Sequence, residues 1–239
     1  MKKIRIVVFT GSGVSAPSGL ATFRDTNGIW ARYTIEEVAT PQAWEANPEK
    51  VCTFYNERRL QLGTVKPNAG HWALAGLEDF FDVQIITQNV DDLHERAGSS
   101  TVLHLHGELT KVRSDRNPDW ITDIGYTAVS MEDQCPEGGR LRPHVVWFGE
   151  PILFFDEALH HFRTCDIVIV VGTSLSVYPA AGLIRQAPDQ ARRYLVDPDE
   201  IQVAKSFIHL KGSAERKLPR LCEKLKKEAR ASGCTAGTT

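Results

Sequence analysis

Short apolar runs alternate along the chain with longer stretches of mixed polarity. The runs are IRIVVFT at 4–10, DVQIITQ at 82–88, VLHLH at 102–106, HVVWF at 144–148, DIVIVVGT at 166–173 and RRYLVD at 192–197. Several are apolar on consecutive positions, DIVIVVG most plainly, which is the pattern of a strand covered on both faces. With helical stretches between them they predict an α/β fold, a Rossmann-like parallel sheet with helices on both sides. Two regions break the rhythm and are expected to form a smaller inserted domain, helical and loop-rich. In the first, 31–66, Pro41–Ala46 and Pro48–Leu62 read as helices with proline at the start, where its missing N–H costs nothing. The second, 107–143, is polar, rich in Asp, Pro and Gly and without clear period, a loop excursion that returns to the sheet at His144. The Rossmann-like domain would then comprise 1–30, 67–106 and 144–239. Near its end, Ser213–Arg230 reads as a polar helix with Leu218, Leu221 and Leu225 at i, i+3 and i+7, a stripe that lies on the sheet.

Composition narrows the class. A chain of 239 residues, 42 % hydrophobic, can bury a core. A formal charge of −2 gives no field that recruits nucleic acid, and no stretch reaches the ~18 apolar residues of a membrane span. The start, MKKIRIVVFT, runs into Gly-Ser-Gly without a small-residue cleavage site and reads as a first strand, not a signal peptide. Cys52, Cys135, Cys165, Cys222 and Cys234 are an odd set without a close pair, which argues against a disulfide framework and suits a reducing compartment. A cytoplasmic monomer is expected, with no direct nucleic-acid or membrane partner.

The first candidate chemistry is Gly11-Ser12-Gly13, between a strand and a helix-like segment, where bare backbone N–H groups can face a pyrophosphate. Glycines also end strands for steric reasons alone. The continuation GSGVSAPSGLATFRDTNGIW (11–30), with TQNVDDLHERAGS (87–99), LHGEL (105–109), RPHVVWFGE (142–150) and VGTSLSVYPAAG (171–182), resembles the sirtuin family, motif by motif and in the family's order. The resemblance covers nearly the whole chain, is closest to bacterial deacylases, and weakens around 110–140 and past 190.

The resemblance implies NAD as a consumed co-substrate. Nicotinamide leaves the ribose, the acyl oxygen of a modified lysine attacks the exposed sugar carbon, and the products are free lysine and 2'-O-acyl-ADP-ribose. His106 matches the base that takes a proton from the ribose hydroxyls, a task suited to neutral imidazole; the alternative is a core histidine bonded to backbone. His104 is left as its structural neighbour. Gln88, Asn89 and Asp91 match the family's Gln-Asn-x-Asp cluster, in which Asn89 and Asp91 join His106 in catalysis, although either could instead cap the following helix. The cofactor set carried over is Gly11, Ser12, Gly13, Ser15, Thr22, Phe23, Arg24, Gln88, Asn89, Asp91, Gly172, Thr173, Ser174, Asp197 and Ala214. Val146, Phe148 and Gly149 match the segment that pairs an extended substrate peptide, whereas Trp147 serves equally well as core.

Tyr55 and Arg58 stand at i and i+3 in FYNERRLQL, so a helix projects both from one face, where they can hold a carboxylate. The alternative is a solvated face, since Glu57 and Arg59 flank the pair. The same pair marks sirtuins that remove succinyl and malonyl groups, and Ala39 matches the small residue that leaves room for them. The family pattern fails in three places. Many sirtuins hold zinc with two cysteine pairs after the catalytic histidine, but here the interval contains only Cys135, so no zinc is expected and packing around Trp120, Ile121, Ile124 and Tyr126 should hold that module. Ser12 stands where alanine is common. Near 195, where the family often has asparagine, the chain has Leu195 and then Asp197, a carboxylate suited to ribose hydroxyls. The rivals are ADP-ribosyl transfer to protein or NAD hydrolysis in the same cleft, and a non-catalytic NAD-sensing module. A Rossmann dehydrogenase is excluded because Ala16 breaks the strict Gly-x-Gly-x-x-Gly.

Overall fold

A computed structural model describes residues 3–21 and 32–232. The main sheet is parallel and six-stranded: β1 (Arg5–Thr10), β2 (Asp82–Thr87), β3 (Val102–His104), β7 (Ile167–Val171), β8 (Arg192–Asp197) and β9 (Phe207–Lys211), in the order β3-β2-β1-β7-β8-β9. All five residues of β7 are buried, as its unbroken apolar run requires of a central strand. The chain runs outward from β1 in both directions, so a topological switch point falls between β1 and β7, where ligands of open α/β sheets bind beyond the carboxyl ends of the strands.

Each face of the sheet buries its own core. On one, β-strand side chains such as Val8, Ile85 and Ile169 meet α4 (Ala69–Ala75) and α7 (Ala214–Ala231), and α7 inserts Leu218, Leu221 and Leu225 as its spacing predicts. On the other, Phe9, Ile86 and Val170 meet Phe162 of α6 (Phe155–Thr164) and Leu183 of the 3₁₀ segment Ala180–Gln186. A third cluster joins α1 (Ile35–Val38), α2 (Pro41–Ala46) and α3 (Pro48–Thr64) to a second sheet. Thr40 and Asn47 cap α2 and α3 by accepting the N–H groups of Ala43 and Lys50, each at 3.0 Å, and proline follows each cap. The short α5 (Leu93–Arg96) follows the loop after β2.

That second sheet corrects the loop expectation for 107–143. It is antiparallel, order β5-β4-β6, from β4 (Gly107–Ser114), β5 (Ile121–Asp123) and β6 (Leu141–Val145). β4 buries Leu109, Val112 and Ser114 while Glu108, Lys111 and Arg113 stay partly exposed. HVVWF is likewise not a strand of the parallel sheet; only His144 and Val145 are strand, in β6 against β4, and β6 runs through the point where a return to the main sheet was expected. VLHLH ends its strand at His104, leaving Leu105 and His106 in a turn closed by Gly107 at φ +77°. There a Cβ would meet the His144 carbonyl at 2.1 Å.

The packing expected around Trp120 and Ile121 is also corrected. Ile121 is 44 % exposed and Trp120 only partly buried, so the module's buried apolar residues are Leu109, Val112, Val129 and Cys135. Tyr126 does pack against the helical cluster, and its hydroxyl donates to Asp92. The Cys135 thiol donates to the Ser114 hydroxyl (3.4 Å) and accepts the Gly139 N–H (3.3 Å). Among the described residues no three His, Cys, Asp or Glu side chains are grouped to hold a metal, and no helix is long and apolar enough to cross a membrane. Cys52, Cys135, Cys165 and Cys222 are buried free thiols; Cys234 lies outside the described residues.

Candidate active site

The turns after β1 and β7 interlock at the switch point. Gly11 N–H donates to Val171 O (3.0 Å) and Gly13 N–H to Gly172 O (2.9 Å). A Cβ on Gly13 would lie 2.7 Å from Gly172 Cα, and one on Gly172, whose φ is +58°, would lie 2.5 Å from Val14 N. These glycines therefore let two backbones cross, and the expectation that their N–H groups face a phosphate is corrected: the β7 turn takes both. The segment that follows is two 3₁₀ turns, Ser12–Val14 and Ala16–Ser18, and not an α-helix. Ser12 is half-buried beside the crossing. Thr22, Phe23 and Arg24 lie outside the described residues.

Ser15 is the hub of the floor. Its hydroxyl donates to Asp91 Oδ2 (2.9 Å) and is met by Asn89 Nδ2 (3.3 Å) and His71 Nε2 (3.4 Å). His71 Nδ1 accepts the Asn68 N–H, so Nε2 holds the ring proton and points it at Ser15. Burial drives the His71 pKa down to about 4, which keeps that ring neutral. Burial also raises the Asp91 pKa, against the opposing pull of its Ser15 bond. His71 was not singled out from sequence; its signal was Asn68 three residues ahead, a cap whose reciprocal partner is the histidine. His94 packs on His71 with ring centres 4.9 Å apart and reaches the Thr10 hydroxyl at 3.2 Å.

Above this floor stand Gln88 and His106. Thr173 donates to Gln88 Oε1 (2.9 Å), tying the turn after β7 to the loop after β2. His106 Nδ1–H donates to the Gln88 carbonyl (3.0 Å), which fixes the tautomer and leaves the lone pair on Nε2. Burial lowers the His106 pKa, opposed by that carbonyl, so the ring is neutral near pH 7 and is partly exposed to the cleft. Ser174 Oγ lies 2.6 Å from Ser176 Oγ. Asp197 ends β8, buried, accepting the Asp199 N–H (2.9 Å), and Ala214 is buried at the first turn of α7. The resulting set of donors and acceptors comprises amides, hydroxyls and carboxylates at the ends of β1, β2, β7 and β8. It suits a ligand with sugar hydroxyls and a carboxamide.

A second wall comes from α3 and the segment after β6. Tyr55 is buried, and its oxygen accepts the Trp147 Nε1–H (3.0 Å), leaving its own O–H to donate. The Arg58 guanidinium stacks 5.5 Å from the Phe54 ring centre and 5.7 Å from that of Tyr55. Burial pulls the Arg58 pKa down, while Tyr55 and Asp91 act in the opposite sense. Ala39 is buried where its carbonyl accepts the Phe148 N–H (3.0 Å). Trp147 is core, 2 % exposed, with Arg142 over its ring; Val146 is half-buried, and Phe148 and Gly149 are exposed. Glu150, unnoticed in the sequence, holds this segment by accepting the Trp147 N–H (2.8 Å) and binding both Arg113 and Arg142.

Comparison with known proteins agrees with this arrangement. A model of the Sir2 family matches residues 11–179. An NAD-dependent protein deacylase of Bacteroides thetaiotaomicron is 50 % identical over 218 residues, covering 88 % of this chain and 93 % of the relative. Among solved structures, a Sir2 homologue in complex with NAD is 38 % identical with a TM-score of 0.86, covering 95 % of this chain and 91 % of that one. Sir2Af2 bound to a myristoylated histone peptide is 31 % identical with a TM-score of 0.73, covering 97 % and 94 %. The chain belongs to the Sir2 family, the sirtuins.

Proposed function

We propose that the protein is an NAD-dependent protein lysine deacylase that moves the acyl group of a modified lysine onto ADP-ribose, with one water consumed to free the amine, and releases nicotinamide, free lysine and 2'-O-acyl-ADP-ribose. The observation that carries this reading is His106: its Nδ1–H is committed to Gln88, so Nε2 offers a lone pair at neutral pH within a cleft of amides and hydroxyls. The relatives named for this activity support it. NAD, when bound, supplies an electrophilic sugar carbon as nicotinamide departs. His106 Nε2 takes the ribose hydroxyl proton. Gln88 and Asn89 offer amides to the carboxamide and its ribose, and Asp91, closed off from solvent, stabilises developing positive charge. Thr173, Ser174 and Asp197 hold ribose hydroxyls, with Gly11, Ser12, Gly13, Ser15, Gly172 and Ala214 shaping the site and Thr22, Phe23 and Arg24 completing it.

The same reading assigns Ala39, Tyr55 and Arg58 to an acyl pocket that takes acidic chains, succinyl and malonyl, as well as acetyl. The Tyr55 O–H and the planar Arg58 fork suit a carboxylate, and the stacking on Phe54 and Tyr55 pre-orients that fork. Val146, Phe148 and Gly149 would pair an extended peptide. A zinc-free, monomeric, cytoplasmic enzyme built from a Rossmann-like domain and a small inserted module belongs to the same proposal; light scattering that shows a dimer would refute the monomer. The test of the activity is a panel of acetyl-, succinyl- and malonyl-lysine peptides incubated with NAD. Equal amounts of nicotinamide, free lysine and acyl-ADP-ribose are expected. Nicotinamide without free lysine would favour ADP-ribosyl transfer or NAD hydrolysis, and NAD binding without turnover would favour a sensor.

A further inference from the structure

Four consecutive carbonyls of the loop bearing Gln88, Asn89 and Asp91 are held by one stretch of chain. Leu105 N–H donates to Thr87 O (2.9 Å), His106 Nδ1–H to Gln88 O (3.0 Å), His104 Nδ1–H to Asn89 O (2.9 Å), and Leu109 N–H to Val90 O (2.8 Å). Two of these four donors are histidine side chains, and their far nitrogens differ. That of His106 opens to the cleft, whereas Nε2 of His104 lies 2.7 Å from the Glu95 carboxylate on α5. A carbonyl and a carboxylate can only accept, so both contacts of His104 require a ring protonated on both nitrogens.

We propose that His104 and Glu95 form a positioning dyad: Glu95 keeps the His104 ring doubly protonated, and that ring holds its Nδ1 proton on the Asn89 carbonyl and so fixes the Asn89 backbone. The assignment rests on the deacylase reading, in which Asn89 and Asp91 serve the reaction. His104 touches neither substrate directly; it acts through the loop it grips. Burial, at 5 % exposure, would lower the His104 pKa, but the hydrogen bond and charge of Glu95, followed by the Asn89 carbonyl and Glu108, outweigh it and raise the pKa overall. The charged and titratable groups that bear on the ring are Glu95 and His94 from α5, Asp91 from the loop and Glu108 from β4. Asp91, whose pKa burial raises, is pulled back towards its ionised form by His104.

Loss of the carboxylate would let the ring become neutral. A neutral ring has one N–H, and with no partner at Nε2 that proton is no longer confined to Nδ1; the tautomer with its proton on Nε2 turns the Nδ1 lone pair against the Asn89 oxygen. Glutamine at 95 differs from alanine here, because its amide can donate to Nε2 and hold the remaining proton on Nδ1.

Glu95 is 41 % exposed, so truncating it opens no core cavity. The experiment compares full-length wild type, Glu95→Ala and Glu95→Gln in kcat and peptide KM at saturating NAD from pH 6 to 9, with NMR titration of the histidine rings and thermal melts as a folding check. In wild type one histidine should titrate above the usual value of about 6.5, and it should move down in both variants. Glu95→Ala should lose about tenfold in kcat at pH 6, the worth of one hydrogen bond, with peptide KM within about twofold. The loss should shrink towards pH 9, where the wild-type ring also sheds its second proton, because burial, no longer opposed by Glu95, favours the neutral ring in the variant. Glu95→Gln should stay within about threefold of wild type at pH 6. An equal loss at pH 6 and pH 9, a glutamine variant as impaired as the alanine one, or no high-titrating histidine would overturn the dyad while leaving the deacylase reading intact. A wild type unable to deacylate would overturn that reading, and this assignment with it.

Discussion

Removing the Ser15 hydroxyl would disturb the floor of the site at its most connected atom. Ser15→Ala takes away a 2.9 Å bond to the Asp91 carboxylate and longer ones to Asn89 and His71, all inside a region closed to water. The charge-assisted bond contributes about 1.5–3 kcal/mol, and the Asn89 amide and His71 N–H left without that oxygen add about 1 kcal/mol each at their weak distances. A destabilisation of about 4 kcal/mol should lower Tm by about 8–16 °C in a chain of this size. The loss should depend on pH in a defined direction. The Ser15 bond lowers the Asp91 pKa against burial, so it favours the ionised carboxylate; its removal should cost more at pH 8, where Asp91 must stay charged, than at pH 5, closer to its raised pKa. Urea unfolding at both pH values measures this through the shift in midpoint at unchanged slope. A Tm within about 2 °C of wild type, or equal losses at pH 5 and pH 8, would refute Ser15 as the hub.

Three further outcomes can be measured independently. Arg58→Met should reduce desuccinylation at least tenfold, the scale of one charge-assisted contact, while acetyl-lysine is still processed; equal loss on both peptides would refute the acidic pocket. Metal analysis should find less than about 0.1 zinc per chain, and a chelator should leave Tm unchanged, because one thiol cannot complete a tetrahedral site; one tightly bound zinc would overturn this. The acid limb of kcat/KM should fall below the usual histidine range, since burial lowers the His106 pKa and the base works only above it. An inflection above pH 7 would assign the base to another group.

How much of this was legible in the sequence depends on how strongly each residue's neighbours in the chain dictate its surroundings. β7 and the buried stretches of β1 and β8 announce themselves because a strand covered on both faces is apolar on consecutive positions. Pro41 and Pro48 mark their helices because the cap chemistry is local. β4 was hidden: Glu108, Lys111 and Arg113 on its partly exposed face give GELTKVRS too little apolar character to stand out from a loop, and only its partners β5 and β6 reveal it. β9 was missed for a similar reason, since an edge strand leaves Ile208 53 % exposed and carries His209 and Lys211. The site followed the same division. Gln88, Asn89, Asp91 and His106 lie in motifs, but His71 comes from a separate helix, and the directions of the Gly11 and Gly13 N–H groups depend on a β7 turn about 160 residues away.

The central claim is that His106 Nε2 acts as a base, and His106→Ala tests it most directly when assayed for acyl-ADP-ribose and free lysine at saturating NAD and acyl peptide. Turnover should fall by about 10²- to 10⁴-fold in a protein whose melting temperature stays near that of wild type. A folded variant that still turns over within about threefold of wild type would contradict the account.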